Sequence, residues 1–284
     1  MVVRRALTTA GVLGALWMAG CAPQRPFEPL STAEAVTRAE RELQPLRSFR
    51  SKGGNLGVLL TDEKGSHRFP LGGLNVLFDG PKSLYLSASV PGTPAALLIG
   101  SNEEQYWLGI KPQVSTLWWG RWKYVDQPCN EWRLAAPNRL VEALGQVNIR
   151  DLSGQYLGPV VQNRKPFHVL MYLAVDDEGF WYIAREIYLD PNDRLSVAKI
   201  MYLDPQGQAD MEMRFADYRF VEDGEHQGYV PERIELYWPK DKSHMKLKLG
   251  PIEAREEFHP RAFQMPDKTL YERAEQVDIE CGNE

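Results

Sequence analysis

The side chains that could act as acids, bases or metal ligands are scattered along this chain. Its five histidines lie at positions 67, 168, 226, 244 and 259, and Glu256-Glu257-Phe258-His259 places two acidic residues near one of them without further candidate ligands. The run Asp176-Asp177-Glu178-Gly179 lacks the alternating oxygen ligands of a calcium loop and is typical of a hairpin turn. The sequence contains no nucleophile elbow, phosphate-binding glycine loop or zinc-protease motif. We therefore predict no catalytic residue, no metal site, no cofactor and no enzyme activity.

Cys21 has the most specific surroundings of any residue in the chain. Arg4 and Arg5 precede an apolar stretch from Ala6 to Trp17, and small residues lead to the cysteine in Leu16-Trp17-Met18-Ala19-Gly20-Cys21. This order is that of an export signal. The run resembles the bacterial lipobox, in which cleavage before the cysteine is followed by its acylation. Because the apolar stretch is too short to span a bilayer, we predict a signal peptide at 1–20 and a lipid (palmitate-type) anchor on Cys21. Export with cleavage elsewhere is the alternative.

The charge of the chain bears on its partners. Residues 1–20 carry two of the 33 basic residues and none of the 38 acidic ones, so their removal moves the formal net charge from −5 to −7. An acidic chain lacks the basic face that nucleic acid requires and a polybasic patch for an anionic leaflet. Membrane contact is therefore predicted through the lipid anchor. Ala22 is not the Asp that marks inner-membrane retention in some bacteria, which implies the periplasmic face of the outer membrane.

Two cysteines, Cys129 and Cys281, remain once Cys21 is assigned to the anchor. An exported compartment permits a disulfide bond between them, which would tie the C-terminal tail to the middle of the chain. Two unpaired thiols are the alternative, because pairing depends on a Cα separation that a sequence does not give.

The first elements after the anchor are a tether and a helix. Residues 21–30 are rich in proline and are predicted to form a short tether. Ser31-Thr32-Ala33-Glu34 matches a capping box. The pattern therefore predicts a helix over 32–44 that ends near Pro45.

From Leu46 onward, apolar and polar residues alternate with a period of two, which indicates strands with one apolar face. The clearest segments are 84–90, 196–203, 211–216, 233–238 and 245–249, with turn signals at 79–81, 177–179, 190–193, 204–207 and 222–224. Because the connections are short, neighbouring strands are predicted to pair as antiparallel hairpins.

Counted together, these segments predict about 10–11 strands in two groups, 47–118 and 166–258. Short helices are predicted for 136–145 and for Lys268 to Val277. A sheet of this many strands curls, so its apolar face becomes concave. We predict one mainly β (α+β) domain over 31–284, a strongly curved antiparallel sheet or incomplete barrel with short plugging helices. Such a sheet can hold an apolar ligand.

The order of three groups of motifs is similar to that of the LolA/LolB superfamily of bacterial lipoprotein carriers and outer-membrane receptors. The motifs are 46–53, then 89–99 with 104–108, then a C-terminal block of 202–207, 215–218, 231–236 and 263–266. The resemblance covers about 31–266 of the chain. It implies a half-barrel whose concave face takes up the acyl chains of a lipoprotein. This chain departs from the receptor branch at Val90 to Ala95, where no leucine stands at the tip of the turn.

The side chains that would line such a face follow from strand parity. They are Leu74, Val76, Phe78, Leu84, Leu86, Trp107, Met211, Met213, Phe215, Leu236 and Trp238. Methionines suit a surface that adapts to flexible chains. The main hypothesis is a monomeric, membrane-anchored periplasmic lipoprotein that binds an acyl chain, a lipoprotein or another apolar ligand, for lipid or lipoprotein trafficking or envelope assembly.

Two other functions remain open. The same fold with a filled core would be a non-enzymatic structural or protein-interaction module of the envelope. The aromatic run Trp118-Trp119-Gly120-Arg121-Trp122-Lys123-Tyr124 suits a wet-apolar boundary. It could serve a carbohydrate-binding or hydrolytic protein, or touch a membrane. Packing of these rings as core at the open end of the barrel is the structural alternative.

Overall fold

The computed structural model describes residues 27–62, 65–112, 114–125, 137–150, 154–259, 261–279 and 281. The predicted signal peptide, Cys21 and Cys129 lie outside these residues. Within them, two short α-helices accompany one large β-sheet. The helices are α1 (Thr32–Glu42) and α2 (Pro137–Ala143). The strands are β1 (Ser48–Asp62), β2 (Gly65–Asp79), β3 (Ser83–Val90), β4 (Thr93–Ser101), β5 (Gln105–Ile110), β6 (Thr116–Arg121), β7 (Leu157–Arg164), β8 (Phe167–Val175), β9 (Trp181–Asp190), β10 (Ser196–Leu203), β11 (Ala209–Asp223), β12 (His226–Trp238), β13 (Ser243–Lys248), β14 (Ile252–Ala254) and β15 (Arg273–Gln276).

The strands lie in the order β15-β6-β5-β4-β3-β2-β1-β13-β12-β11-β10-β9-β8-β7, and β14 pairs with the beginning of β1. In the part of the chain that the structure describes, the β15–β6 pair is parallel and the others are antiparallel. Pairing of β1 with β13 joins the two groups of strands that the sequence predicts. The prediction of a mainly β fold built on one large sheet is confirmed.

The prediction differs from the structure in the number of strands and at the C-terminus. The described residues form fifteen strands rather than ten or eleven. Part of the difference arises because β7, β14 and β15 are polar or very short and carry little alternation. The predicted helix over Lys268 to Val277 is wrong. A single 3₁₀ turn, Lys268–Leu270, is followed by β15. The amides of Glu272 and Arg273 both donate to the carbonyl of Ser115, so pairing with the open edge of β6 prevails over helix formation.

The inner face of the sheet carries the main hydrophobic core. Leu86 of β3, Ile99 of β4, Leu170 of β8 and Ile187 of β9 are at most 2% exposed and belong to one contiguous cluster. Among the described residues, α1 and α2 are the helices that pack on this face, and they have 11 and 7 residues. Two such short helices cannot cover the sheet. It therefore curves, and its inner side chains cover one another.

Helix α1 begins as the sequence predicts and docks on the edge strand β7. The hydroxyl of Ser31 accepts the amide of Glu34, and the Glu34 carboxylate accepts the amide of Ser31, which completes the capping box. Thr32 Oγ1 accepts the amide of Val161 at 3.0 Å. Leu30 exchanges two hydrogen bonds with the Asn163 side chain, each 3.0 Å long. The end of the predicted tether thus lies against the sheet.

Candidate functional site

Ten of the eleven side chains predicted to line the concave face lie in the main core. Cross-strand neighbours such as Phe78 and Leu84, or Met213 and Leu236, face each other across the ladder. Trp107 differs. It packs with Leu98 and Leu117 in a second cluster, on the outer face of the sheet. The structure therefore places ten of these side chains together, and the prediction that Trp107 shares their face is wrong.

The ten inner-face side chains fill the space beneath their strands. Each is at most 7% exposed. Among the described residues, a void of about 20 Å³ lies at the edge of this core, mostly among half-buried residues. It is lined by Leu43, Pro45, Gly145, Val147, Ile149, Val197, Tyr218 and Tyr229. A void of this size holds about one water molecule and no acyl chain.

A larger cavity opens at one end of the inner face, next to α2, and we call it the mouth cavity. Its volume is about 510 Å³, within the range of ligand clefts. Its lining is Arg139, Gln155, Tyr156, Ala174, Val175, Tyr182, Ala184, Tyr202, Leu203, Asp204, Asp210 and Lys240. The small side chains of Ala174 on β8 and Ala184 on β9 leave room that larger residues elsewhere on these strands fill.

A buried cluster of charges holds α2 against the sheet beside this cavity. Glu142 is buried and accepts hydrogen bonds from the guanidinium of Arg185 and the hydroxyl of Tyr202. Arg139, one turn earlier, lies 4.0 Å from the Glu142 carboxylate and 3.6 Å from the centre of the Tyr202 ring. Arg185 also donates to the carbonyl of Asn148 at 3.1 Å. Helix and sheet are thus joined by ionic contacts inside the core.

The protonation states of this cluster follow from its surroundings. Burial opposes the charged form of Arg139, but the neighbouring Tyr202 and Glu142 outweigh it and raise the pKa above its ordinary value. Burial likewise opposes the charge of Arg185, and Glu142 raises the pKa of that guanidinium. Burial, with the charge of Glu142, raises the pKa of Tyr202 far above its ordinary value. Both arginines are therefore cations, and Tyr202 is a neutral hydrogen-bond donor.

The aromatic run does not form one platform, because successive rings point to opposite faces. Leu108 pairs with Trp118, and Trp107 pairs with Trp119. Trp118 and Trp122 pack against the main core, whereas Trp119 packs in the outer cluster. The C-terminal segment covers that outer cluster, with Lys268 lying 3.8 Å from the Trp119 ring centre. The rings therefore pack on both faces, as core packing requires.

Of the three cysteines, Cys281 lies within the described residues. Cys281 is 8% exposed and disulfide-bonded. Its pairing with Cys129 stays a prediction, since Cys129 lies outside the described residues, and so does lipidation of Cys21. Non-reducing peptide mapping would check the disulfide bond between Cys129 and Cys281. The intact mass of the protein would check lipidation of Cys21.

Sequence reasoning missed the charged residues that line or underlie the mouth cavity. Arg185 has the same strand parity as the buried Ile187 and Leu189, which is the signal that could have revealed it. Glu142 lies next to Val141 in a helix whose predicted apolar face is Leu140, Val141 and Leu144, all buried. No group of three or more potential metal-ligating side chains comes together in the part of the chain that the structure describes.

No helix within the described residues has the length and apolar character needed to cross a membrane. No family model matches the sequence. No curated protein matches it either.

Solved structures similar to this chain include members of the superfamily that its sequence resembles. A LolA superfamily protein from Nitrosomonas europaea is 14% identical, with a TM-score of 0.48 over 84% of this chain and 99% of that one. A domain named for outer membrane lipoprotein sorting, from Vibrio parahaemolyticus, is 12% identical, with a TM-score of 0.48 over 81% and 95%. A DUF1329 family protein from Desulfovibrio piger is 12% identical, with a TM-score of 0.49 over 83% and 98%. At these identities and TM-scores the similarity gives neither a ligand nor a partner for this chain.

Proposed function

We propose that this protein is a non-enzymatic envelope lipoprotein, anchored through Cys21, that binds an amphipathic ligand with an acyl chain for lipid or lipoprotein trafficking. The observation that carries the proposal is the mouth cavity, because it opens from a polar rim onto the end of a continuous apolar inner face. Burial of each CH₂ group contributes about 0.8 kcal/mol, so affinity requires no chemistry. The charged groups beside α2 suit the polar end of such a ligand.

An acyl chain needs more room than the void of about 20 Å³ offers. We take the mouth cavity as its entry because this opening reaches Arg139 and Tyr202 of the charged cluster. Helix α2 has seven residues and contacts the sheet partly through charges rather than through apolar side chains alone. Met211 and Met213 lie in the core beneath, and methionine side chains repack at low cost. The ligand chain would therefore enter from the mouth cavity and displace inner-face side chains around α2.

A second function is favoured by the filling of that core. If the inner face never admits a ligand, the protein is a structural or interaction module that presents its surface to an envelope partner. Burial of all ten candidate side chains supports this alternative. The two functions differ in whether any apolar molecule binds.

The test uses residues 22–284 exported behind a cleavable secretory signal that lacks a lipobox, purified from the periplasm without detergent. Native mass spectrometry should show co-purifying lipid, and a fluorescent fatty acid should bind. Ala174→Leu narrows the mouth cavity and should weaken probe binding. The matched control is Ala216→Leu on β11, whose backbone pairs with Arg233 and which does not line the cavity. Absence of lipid together with absence of probe binding would favour the interaction module.

A further inference from the structure

We infer that Arg139 binds the anionic head group, a carboxylate or a phosphate, of a ligand in the mouth cavity. This inference rests on the proposed function and adds the ligand's charge and orientation. The observation behind it is a difference in charge within the cavity. Its inner part, around Arg139, is positive, whereas its rim, formed by Asp204, Asp210 and Lys240, is negative.

Counted over the described residues, the inner part of the site has more positive than negative charge. Arg139 and Arg185 face one carboxylate, Glu142, and Arg185 is its closer partner. Arg139 lies 4.0 Å from that carboxylate, too far for a hydrogen bond. The Arg185 Nε group is buried and has no hydrogen-bond partner among the described residues. A buried cation without a matched anion is costly, so the site favours one further negative charge.

The rim has the opposite balance. Lys240 lies 2.9 Å from Asp204 and 3.2 Å from Asp210, so these carboxylates already neutralise it. Asp210 and Lys240 are exposed, with side-chain exposures of 42% and 40%, and solvent screens their charges. Arg139 is more enclosed, at 24%. An anion that enters the cavity is therefore stabilised most strongly at Arg139, beyond the rim.

The surroundings of Arg139 leave donors for such an anion. Guanidinium has five N–H groups in one plane. The Tyr202 ring covers the flat side of the group at 3.6 Å, which leaves the in-plane donors free of that contact. A side-chain hydrogen bond to Tyr156 engages one of them. Carboxylate and phosphate match two parallel N–H groups of arginine. Tyr182, which also lines the cavity, adds a neutral hydroxyl, because burial raises its pKa.

The experiment compares ligands that differ only in the head group. A polyene fatty acid and the alcohol of the same chain are titrated into this anchor-free exported chain and followed by polyene fluorescence. We expect the acid to bind at least about tenfold more tightly than the alcohol, since a hydrogen bond to a charged group contributes about 1.5–3 kcal/mol. Arg139→Gln should abolish this preference, so that the acid and the alcohol bind with similar affinity. Arg139→Lys should retain part of it. The control Arg214→Gln, which removes an exposed ion pair with Glu212, should retain all of it.

Further arms identify the source of the anion. Lysophosphatidic acid of the same chain length tests a phosphate head group, and inorganic phosphate or acetate alone tests a free ion. Competition by any of them that is lost in Arg139→Gln supports the site and names its ligand. Equal binding of acid and alcohol by the parent chain overturns the head-group site while leaving the proposed function intact. If neither the acid nor the alcohol binds, the proposed function fails, and this inference fails with it. The comparison in the parent chain holds even if the Arg139 variants do not fold.

Discussion

Glu142 and Arg185 form a buried ion pair across 43 residues of sequence. Glu142 belongs to α2 and Arg185 to β9, so the pair fixes the helix on the inner face at the point where the mouth cavity begins. Tyr202 of β10 donates to the same carboxylate. One carboxylate thus holds α2 against two neighbouring strands, β9 and β10.

Removal of one partner of this pair should be strongly destabilising. Arg185→Met removes the closer ionic partner of the buried Glu142 and leaves it Arg139 at 4.0 Å, and Glu142→Gln leaves the buried Arg185 without a carboxylate. We expect each to lower the free energy of unfolding by about 3–5 kcal/mol. The double variant Glu142→Leu with Arg185→Met should lose less free energy of unfolding than the two single variants lose in sum. Urea unfolding followed by tryptophan fluorescence measures this.

The control for that cycle is the exposed pair of Arg214 and Glu212 on β11, where Arg214→Gln should cost about 0–1 kcal/mol. Additive single effects of similar small size would contradict a structural role for the buried pair.

Contacts set by neighbouring residues could be predicted from the sequence, whereas contacts between residues far apart in the sequence could not. Alternation is a local property, and it correctly places Met211, Met213 and Leu236 in one core. The Ser31–Glu34 capping box is local too, and the helix begins where it predicts. The position of β15 depends on the open edge of β6, more than 150 residues earlier, and no local pattern reveals it. The same holds for Glu142, whose burial makes sense only once Arg185 is beneath it.

Gly54 and Gly57 of β1 should respond very differently to the same substitution. A Cβ on Gly54 would lie 2.3 Å from the carbonyl oxygen of Lys248 and 3.0 Å from the amide nitrogen of Gly250. Here β1 changes partner from β14 to β13. A Cβ on Gly57 would meet no atom within 4 Å. Gly54→Ala should therefore destabilise by about 1–3 kcal/mol.

Gly57→Ala is the matched control on the same strand and should leave stability unchanged or slightly raised, since alanine restricts the unfolded chain. Thermal unfolding of the two variants side by side gives the comparison. An equal loss of stability in the two variants would show that the close backbone approach at Gly54 does not determine the cost of the substitution.

The C-terminal segment should detach when Asp278 is replaced. The Asp278 side chain is fully buried and accepts from the backbone amide of Arg121 at 2.8 Å and from its Nε at 3.2 Å. Gln276 donates to the other carboxylate oxygen at 2.7 Å. Asp278→Ala removes these contacts and should cost about 1.5–3 kcal/mol. Hydrogen exchange over 268–279 should rise sharply, while exchange in β8 and β9 stays as in the parent.

Glu275→Gln is a control for this effect, because Glu275 is an exposed acceptor for Trp118 Nε1 on the same segment. If that change loosens the segment as much as Asp278→Ala does, burial of the Asp278 carboxylate is not what secures it.

Docking of the N-terminal segment should weaken in acid through His168. The Asn163 Oδ1 atom accepts the amide of Leu30 and lies 2.7 Å from His168 Nδ1, and Phe27 stacks on the imidazole with ring centres 4.7 Å apart. Burial, together with the charge of Arg38, lowers the pKa of His168 below its ordinary value of 6.5. Because the docked state has the lower pKa, His168 takes up a proton more readily when the N-terminal segment is released, so docking is lost as pH falls below 6.5. Amide exchange of Leu30 and Val161 should be faster at pH 5 than at pH 7.5, after correction for intrinsic rates.

His168→Gln should abolish this pH dependence, and the exposed His226→Gln should preserve it. Equal protection at both pH values in the parent chain would rule out the imidazole as the pH-sensitive contact.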